Sequence, residues 1–258
     1  FKKGLRIADL KIAVNNALRN LRYVDRVPLT ICPDGDMEAS STLWAATGSA
    51  TVAQVTAWGT IYPLGNVYRG IKSLSVSHDA GGINGGAQSP PIRCKAGKSY
   101  YLEARVRCTG TSDIATLMAY DNVNSASIQT ATWSDTGWGR IGFTFSAPST
   151  CDILRVRLNG NSATDVTRWE DVMLLPTDAR EIPLPDWLTD IGNIRYLYGA
   201  TAMSDYDYNV DYPYNDNLWD VIENAGHTEH PLRLVLSFLP NGPLWLEVSR
   251  PFPELSAD

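Results

Sequence analysis

The chain has 258 residues, a formal net charge of −6, 44% hydrophobic residues and 19% charged residues. This composition excludes a disordered chain and a highly charged filament or coiled coil, because both carry more charge and less apolar surface. At about 150 residues per domain, the length favours two domains over one. No run approaches the ~18 apolar residues of a membrane-spanning helix. The sequence starts at Phe1 without a signal-peptide pattern, so we expect no membrane partner.

Charge is distributed unevenly along the chain. Residues 1–31 carry seven Lys or Arg and two Asp or Glu, whereas residues 177–258 carry four and fourteen. A basic head and an acidic tail favour contacts between copies, or with other proteins, over contacts with nucleic acid. Ordinary surface variation explains the gradient equally well. We expect any DNA contact to be confined to the basic first segment.

The first predicted element is an amphipathic helix over residues 5–23, which ends before Pro28. Apolar residues recur in it at three- and four-residue spacing, with basic residues between them: Leu10, Val14, Leu18 and Leu21. A single helix of about twenty residues is marginal in water. We therefore expect it to pack against strands from elsewhere in the chain.

From Ile31 onward, short β-branched and aromatic runs alternate with turn residues, a pattern typical of a β-sandwich or barrel. The predicted antiparallel strands of this middle segment are Ala50–Thr56, Ser73–Ser77, Tyr100–Cys108, Ile114–Tyr120, Gly139–Phe145, Ile153–Leu158 and Asp171–Leu175. Three prolines between Pro176 and Pro185 mark a boundary. Further strands are predicted beyond it at Ile194–Tyr198, Leu232–Phe238 and Leu244–Ser249.

These elements predict a mainly β chain with one domain inserted into another. A β-sandwich, residues 32–176, interrupts a small α+β platform that consists of the N-terminal helix in residues 1–31 and the C-terminal strands in residues 177–258. The sandwich segment contains all four cysteines, none of them in a C-x-x-C pair: Cys32, Cys94, Cys108 and Cys151. Two disulfides are permitted in an exported protein, but strand-like apolar surroundings favour reduced thiols.

Several motifs recur in order through the sandwich segment. They are Pro33–Glu38 followed by Trp44, then Gly70–Val76, Ala96–Leu102, Trp138 before Phe143–Phe145, and Trp169–Val172. With these motifs, residues 32–175 resemble the jelly-roll carbohydrate-binding modules found beside many glycoside hydrolases. The resemblance implies a two-sheet jelly roll in which Trp44 and Trp138 are framework residues.

The same resemblance implies two candidate sites. A structural calcium ion would lie where the opening acidic turn meets the last strand, held by Glu38 and Asp171 with Asp36 nearby; alternatively, the first two carboxylates only hydrogen-bond turn amides. Sugars would stack on loop aromatics, and the residues that fit are Trp58, Tyr62, Tyr68 and Trp133. Jelly rolls also act as plain interaction modules, so glycan binding is a separate expectation.

The flanks resemble tailed-bacteriophage neck and connector proteins. The matching segments are Leu10–Leu21, Val24–Leu29, Leu232–Leu234, Pro240–Gly242 and Leu246–Asp258. This resemblance implies a virion protein, assembled in the host cytoplasm into a ring with its jelly roll projecting. Its partners would be other copies, portal, neck or tail proteins, and cell-surface glycan. The alternative is a calcium-stabilised carbohydrate-binding module of a secreted glycan-active protein.

A Tyr- and Asp-rich stretch over residues 205–217 favours a contact between subunits, because tyrosine contributes interface area at low entropy cost. The candidate contact residues are Tyr206, Tyr208, Tyr212 and Tyr214. No catalytic motif accompanies them: a G-x-S-x-G elbow is missing and the chain has only three histidines. We predict a non-enzymatic protein that requires no cofactor, although sequence alone does not exclude paired carboxylates.

Overall fold

The structure, a computed structural model, describes residues 22–38, 42–56, 67, 72–77, 85–161, 166–184, 188–199, 218–223, 232–239 and 244–251. Within these ranges the chain is nearly all strand, and its named helical element is one short 3-10 helix, Ile191–Asn193. None of the helical segments described is long and apolar enough to cross a membrane. The mainly β prediction is confirmed.

The predicted N-terminal helix overlaps the described residues only at Arg22 and Tyr23. Both belong to strand β1, Arg22–Pro28, which pairs with a strand from the end of the chain. The helix boundary at residue 23 is therefore wrong, because pairing with a distant strand overrides the local helical pattern at this point. Residues 5–21 lie outside the described part of the chain.

A sandwich of two antiparallel sheets forms the larger part of the fold. Sheet I has the order β10 (Gly139–Ser146), β7 (Ser99–Cys108), β12 (Val166–Pro176), β4 (Lys72–Ser77) and β3 (Thr51–Thr56). Sheet II has the order β2 (Ala45–Thr47), β5 (Gly86–Gln88), β11 (Ile153–Asn159), β8 (Ala115–Asp121) and β9 (Ala126–Trp133), with β6 (Ile92–Arg93) also paired to β11. The chain crosses repeatedly between the sheets, as in a jelly roll.

Buried and outward-facing residues alternate along the strands, and the buried ones form the sandwich core. Leu117 on β8 and Val156 on β11 face inward, and the residues on either side of each face outward. Trp169 on β12 is fully buried between the sheets. Trp44, predicted as a framework residue, is also buried, and its Nε1 donates to the Asp34 carbonyl oxygen at 3.1 Å.

The two ends of the described chain form a second unit, here called the end unit. One sheet pairs β1 with β17 (Leu244–Pro251), which also pairs with β14 (Ile194–Gly199). The other sheet has the order β13 (Glu181–Pro183), β16 (Leu232–Leu236) and β15 (Trp219–Glu223). The predicted C-terminal strands are confirmed. Division of the chain at residues 31 and 176 stays a prediction.

Strand β12 belongs to both cores. Val172 and Leu174 pack in the sandwich, whereas Met173 and Leu175 pack among the buried residues of the end unit. All four are at most 2% exposed. A strand buried on both faces has a continuous apolar sequence, as this one does. The end unit therefore lies against the outer face of sheet I.

Two of the four free thiols lie close together in the structure. The Sγ atoms of Cys94, after β6, and Cys151, before β11, are 3.6 Å apart. Burial raises the pKa of Cys94 above its ordinary value. Burial, followed by the neighbouring Cys94 thiol, raises the pKa of Cys151 to about 12. Both thiols are therefore protonated at neutral pH.

We predict that oxidised glutathione joins Cys94 to Cys151. One protein thiolate attacks the reagent and releases glutathione, and the second then displaces the other glutathione as the protein disulfide forms. Because the thiolate is the nucleophile and both pKa values are raised, the rate should increase about tenfold from pH 7 to pH 8. Intact-mass measurement follows the loss of two hydrogens, with Cys94→Ser as the control. A pH-independent rate, or coupling through Cys32, would contradict this.

Candidate functional site

The outer face of sheet I carries charged side chains that are paired with one another. Arg140 on β10 donates from Nε to Glu103 Oε1 at 2.7 Å and from Nη2 to Oε2 at 2.8 Å. The Tyr101 hydroxyl donates to the same carboxylate. The Arg140 guanidinium lies 5.1 Å from the ring centre of Trp245 in the end unit. The face is therefore covered around these residues, and their polar groups lie where the two units meet.

Burial determines the electrostatics of this covered face. Removal from water raises the pKa of Glu103, and the Arg140 charge opposes that shift. Arg105 Nε lies 3.2 Å from Asp171 Oδ2, and both side chains are at most 9% exposed. Each buried charge named here has a counter-charge close by, as buried ions require. We assign this face a structural role.

The outer face of sheet II has a different character. Leu117 and Val156 face the core, so the alternating Met118 and Tyr120 on β8 and the alternating Arg155 and Arg157 on β11 face the other way, and these four are half-buried. The strand register places Arg155 opposite Tyr120, and Arg157 between Met118 and Gln88 of β5. We call this surface the arginine face and define it by Gln88, Met118, Tyr120, Arg155 and Arg157.

Arg157 is held in a fixed orientation by an aromatic ring. Its guanidinium carbon lies 3.4 Å from the ring centre of Tyr120, a cation–π contact between neighbouring strands. Nη2 makes a long hydrogen bond of 3.4 Å to Gln88 Oε1, and the buried Nε has no hydrogen-bond partner. The plane of the guanidinium is thus set by packing, while the described residues accept a hydrogen bond from only one of its nitrogen atoms.

Arg155 is held by neutral acceptors. Its Nε donates to Asn122 Oδ1 at 2.8 Å, and its Nη1 donates to the Ser89 carbonyl oxygen at 2.8 Å. Neither acceptor carries a charge, so the positive charge of Arg155 is not compensated by these bonds. The arginine face therefore presents guanidinium, amide and phenol groups side by side on three adjacent strands, a combination suited to a polar, extended ligand.

Trp133 is the predicted sugar-binding residue that lies within the described part of the chain, and its side chain packs against the turn that follows it. Its Nε1 donates to the Asp135 and Gly137 carbonyl oxygens at 3.0 and 3.3 Å. A Cβ atom at Gly139 would lie 2.1 Å from the ring, so the indole rests directly on that glycine. The sugar-binding role of Trp133 stays a prediction. The other sequence candidates lie outside the described residues: Trp58, Tyr62, Tyr68, Tyr206, Tyr208, Tyr212 and Tyr214.

The opening acidic turn does meet the last strand of the sandwich. Val172 N donates to the Gly35 carbonyl oxygen at 2.8 Å, and a Cβ atom at Gly35 would lie 2.3 Å from the Val172 oxygen. Only glycine permits so close an approach of the two backbones. Three residues at this junction adopt left-handed backbone angles, with φ of 53°, 59° and 49°: Asp34, Met37 and Asp171.

The carboxylates predicted to bind calcium have other partners at this junction. Glu38 Oε1 accepts from the Lys72 backbone N at 3.0 Å, and Asp171 faces Arg105. Asp36 accepts from the Glu38 backbone N. Across the described residues, no three His, Cys, Asp or Glu side chains are grouped to hold a metal ion. The arrangement does not fit calcium as it stands, and the ion stays a prediction of the resemblance alone.

Sequence reasoning missed the members of the arginine face. The alternation Ile-Leu-Arg-Val-Arg-Leu-Asn in β11 does indicate that two arginines share one side of a strand. Such a pattern is also typical of an ordinary solvated face. The informative contact, Arg157 on Tyr120, depends on the pairing of β11 with β8, which local sequence does not specify.

Comparison with known proteins gives likenesses of fold. No protein-family model and no curated protein matches the chain. A family 22 carbohydrate-binding module of Clostridium thermocellum Xyn10B is 17% identical, with TM-score 0.42 over 60% of this chain and 92% of that one. TmCBM61, in complex with β-1,4-galactotriose, is 14% identical, with TM-score 0.43 over 57% and 98%. At these values neither ligand transfers to this chain.

A larger structure from the same comparison covers a module and an enzyme together. It is the CBM22-1 and GH10 portion of Clostridium thermocellum xylanase Xyn10B, complexed with xylohexaose, at 18% identity and TM-score 0.41. The match covers 59% of this chain and only 29% of the xylanase chain. The chain thus spans less than a third of that protein, so the xylanase activity does not indicate the function of this chain.

We predict that removing only one member of the Glu103–Arg140 pair destabilises the protein more than removing both. Arg140→Met leaves Glu103 buried without its counter-ion, so the free energy of unfolding should fall by about 3–5 kcal/mol. The double variant Glu103→Leu/Arg140→Met removes both charges and should recover most of that loss. Urea denaturation of the three proteins measures the effect. A double variant as unstable as the single one would contradict the assignment.

Proposed function

We propose that the sandwich is a carbohydrate-binding module that holds an extended glycan across the arginine face. The observation that carries the proposal is the Arg157 guanidinium stacked on Tyr120 beside Gln88. A sugar ring offers hydroxyl groups at its edge and an apolar surface on its faces. Guanidinium and amide groups supply the hydrogen bonds, while Met118 and Tyr120 supply apolar contact.

The dimensions of the surface also support an extended ligand. The face crosses three adjacent strands, β5, β11 and β8, which at the usual strand spacing gives a width of about 10 Å. Side chains anchored on paired strands are held in place before a ligand arrives, which reduces the entropy lost on binding. The groups of the face are guanidinium, amide, thioether and phenol, which bind a glycan without cleaving it. We therefore propose a non-enzymatic role.

Tyr120→Ala and Gln88→Ala are expected to weaken glycan binding about tenfold or more each, because they remove the support of Arg157 and its amide neighbour. A glycan microarray with the full chain identifies the ligand, and calorimetry measures the variants. Arg195→Ala, at an exposed position of the end unit, is the control and should bind normally.

Two outcomes would contradict the proposal. If the chain bound no polysaccharide on the array, the proposed glycan-binding function would be wrong. Binding that survives Tyr120→Ala but is lost in Trp58→Ala would place the site on the aromatic residues predicted from the sequence instead.

For the whole chain, we propose that the end unit attaches the module to a larger assembly, such as the tailed-phage neck that the flanks resemble. The end unit exposes four large apolar side chains at 39–46%: Ile191, Tyr196, Leu218 and Leu239. Exposed apolar groups concentrated on a small unit favour protein contacts. Pairing of β1 with β17 also joins both flanks in one sheet, which supports a single attachment unit.

We predict that the full chain self-associates through the end unit. Light scattering should give a mass above that of the monomer, and Leu239→Asp should lower it because a charge is then placed in an apolar contact. Val123→Asp is the control, since Val123 is equally exposed but lies on the sandwich. A monomeric mass at all concentrations would contradict ring assembly and favour a module of a secreted protein.

A further inference from the structure

We infer that the arginine face selects acidic polysaccharides, and that Arg157 binds the carboxylate of a uronic acid residue with Arg155 beside it. The inference rests on the proposed glycan-binding function and names the substrate class of that same site. It is carried by three features: the imbalance of charge on sheet II, the unused donors of Arg157, and the neutral partners of Arg155.

Charge on sheet II is one-sided. Its strands contain three arginines, Arg93, Arg155 and Arg157, and one acidic residue, Asp121. Asp121 is 2% exposed and accepts hydrogen bonds from Val123 N and Asn124 Nδ2 at 2.9 and 2.7 Å, so it serves the turn after β8. On sheet I, Arg105 and Arg140 have carboxylate partners, whereas Arg107 donates to the Thr136 carbonyl oxygen and Arg168 to the Ser75 hydroxyl. The outer face of sheet II is thus left with positive charge that attracts anions.

Arg157 has more N–H donors than the described part of the chain supplies acceptors for. A guanidinium carries five N–H groups in a planar fork. The structure records one acceptor for them, Gln88 Oε1 at 3.4 Å, and the buried Nε has none. Because Nε is buried, a ligand can reach only the terminal Nη1 and Nη2 groups. Two N–H groups on these nitrogens match a carboxylate with two parallel hydrogen bonds. Stacking on Tyr120 fixes the plane in which such a carboxylate would bind.

Arg155 adds a second charge without competing for the same ligand atoms. It uses Nε and Nη1 on Asn122 and Ser89, which are neutral acceptors, so it is fixed in position and still charged. Two residues along one strand separate it from Arg157, a distance of about 7 Å between backbone positions. A carboxylate on Arg157 therefore lies within the field of both arginines.

A neutral glycan on this face would carry a cost. Any chain that covers the face removes water from both guanidinium groups, and neutral hydroxyls compensate a desolvated charge poorly. A uronic acid chain brings the counter-charge with it. We expect a uronic acid chain to bind about tenfold more tightly than its neutral counterpart. This factor corresponds to the weakest hydrogen bonds that charged groups usually make.

The test uses the full chain and matched pairs of oligosaccharides. Galacturonate, glucuronate and mannuronate oligomers are each compared with their carboxyl-reduced counterparts, which keep the linkage and lose the charge. Calorimetry should show at least one uronate oligomer binding about tenfold more tightly than its reduced form. Arg157→Gln should abolish that preference, and Arg157→Lys should keep part of it, because lysine retains charge but not the fork. Thermal melting verifies that the variants fold.

Arg195→Gln is the control for net charge alone, since Arg195 is exposed on the end unit, and it should keep the preference. Equal binding of reduced and uronate oligomers would overturn the inference and leave the proposed glycan function standing. Binding of none of these oligomers would also overturn the inference, and the glycan microarray would then decide whether the proposed glycan function stands. A preference that survives Arg157→Gln would overturn the assignment of the carboxylate to this residue.

Discussion

The burial of strand β12 on both faces is the constraint on which the rest of the structure depends. Val172 and Leu174 fill the sandwich core while Met173 and Leu175 fill the end unit, so one strand carries two cores. Neither unit can lose this strand without exposing apolar surface at about 25 cal/mol per Å². The end unit is therefore fixed on sheet I, and sheet II remains the face of the sandwich that points away from it.

That constraint also explains why the Glu103–Arg140 pair on sheet I and the arginines of the arginine face have different partners. On sheet I, Glu103 and Arg140 are removed from water by Trp245 and its neighbours, so each must bring a counter-charge. On sheet II, Arg155 and Arg157 are only half-buried and are held by amides, a carbonyl and a ring. The Glu103–Arg140 charges are thus balanced where the units meet, whereas Arg155 and Arg157 have neutral partners on the face proposed for ligand binding.

Much of the fold could be predicted because periodicity is a local signal. The predicted strands near β3, β7, β10 and β11 agree with the structure to within a residue. At the turn before β7, Gly97 has a left-handed φ of 73°. The short strands β5 and β6 carry too few residues to show alternation. The first two residues of strand β1 were placed in the predicted helix because the partner of the strand, β17, lies more than two hundred residues away. Long-range pairing decided both cases.

The site was harder to predict for a related physical reason. Sequence reasoning sought aromatic residues in turns, where sugars commonly stack, yet Trp133 is committed to Gly139 and the carbonyls of its own turn. Tyr120 lies inside a strand, and its role follows from the guanidinium that the neighbouring strand places over it. Because that contact spans two strands, its geometry is fixed by the sheet. An arginine that is held in one orientation by a ring favours a ligand whose negative charge has a defined position. The carboxylate of an acidic polysaccharide therefore suits this face better than hydroxyl groups alone.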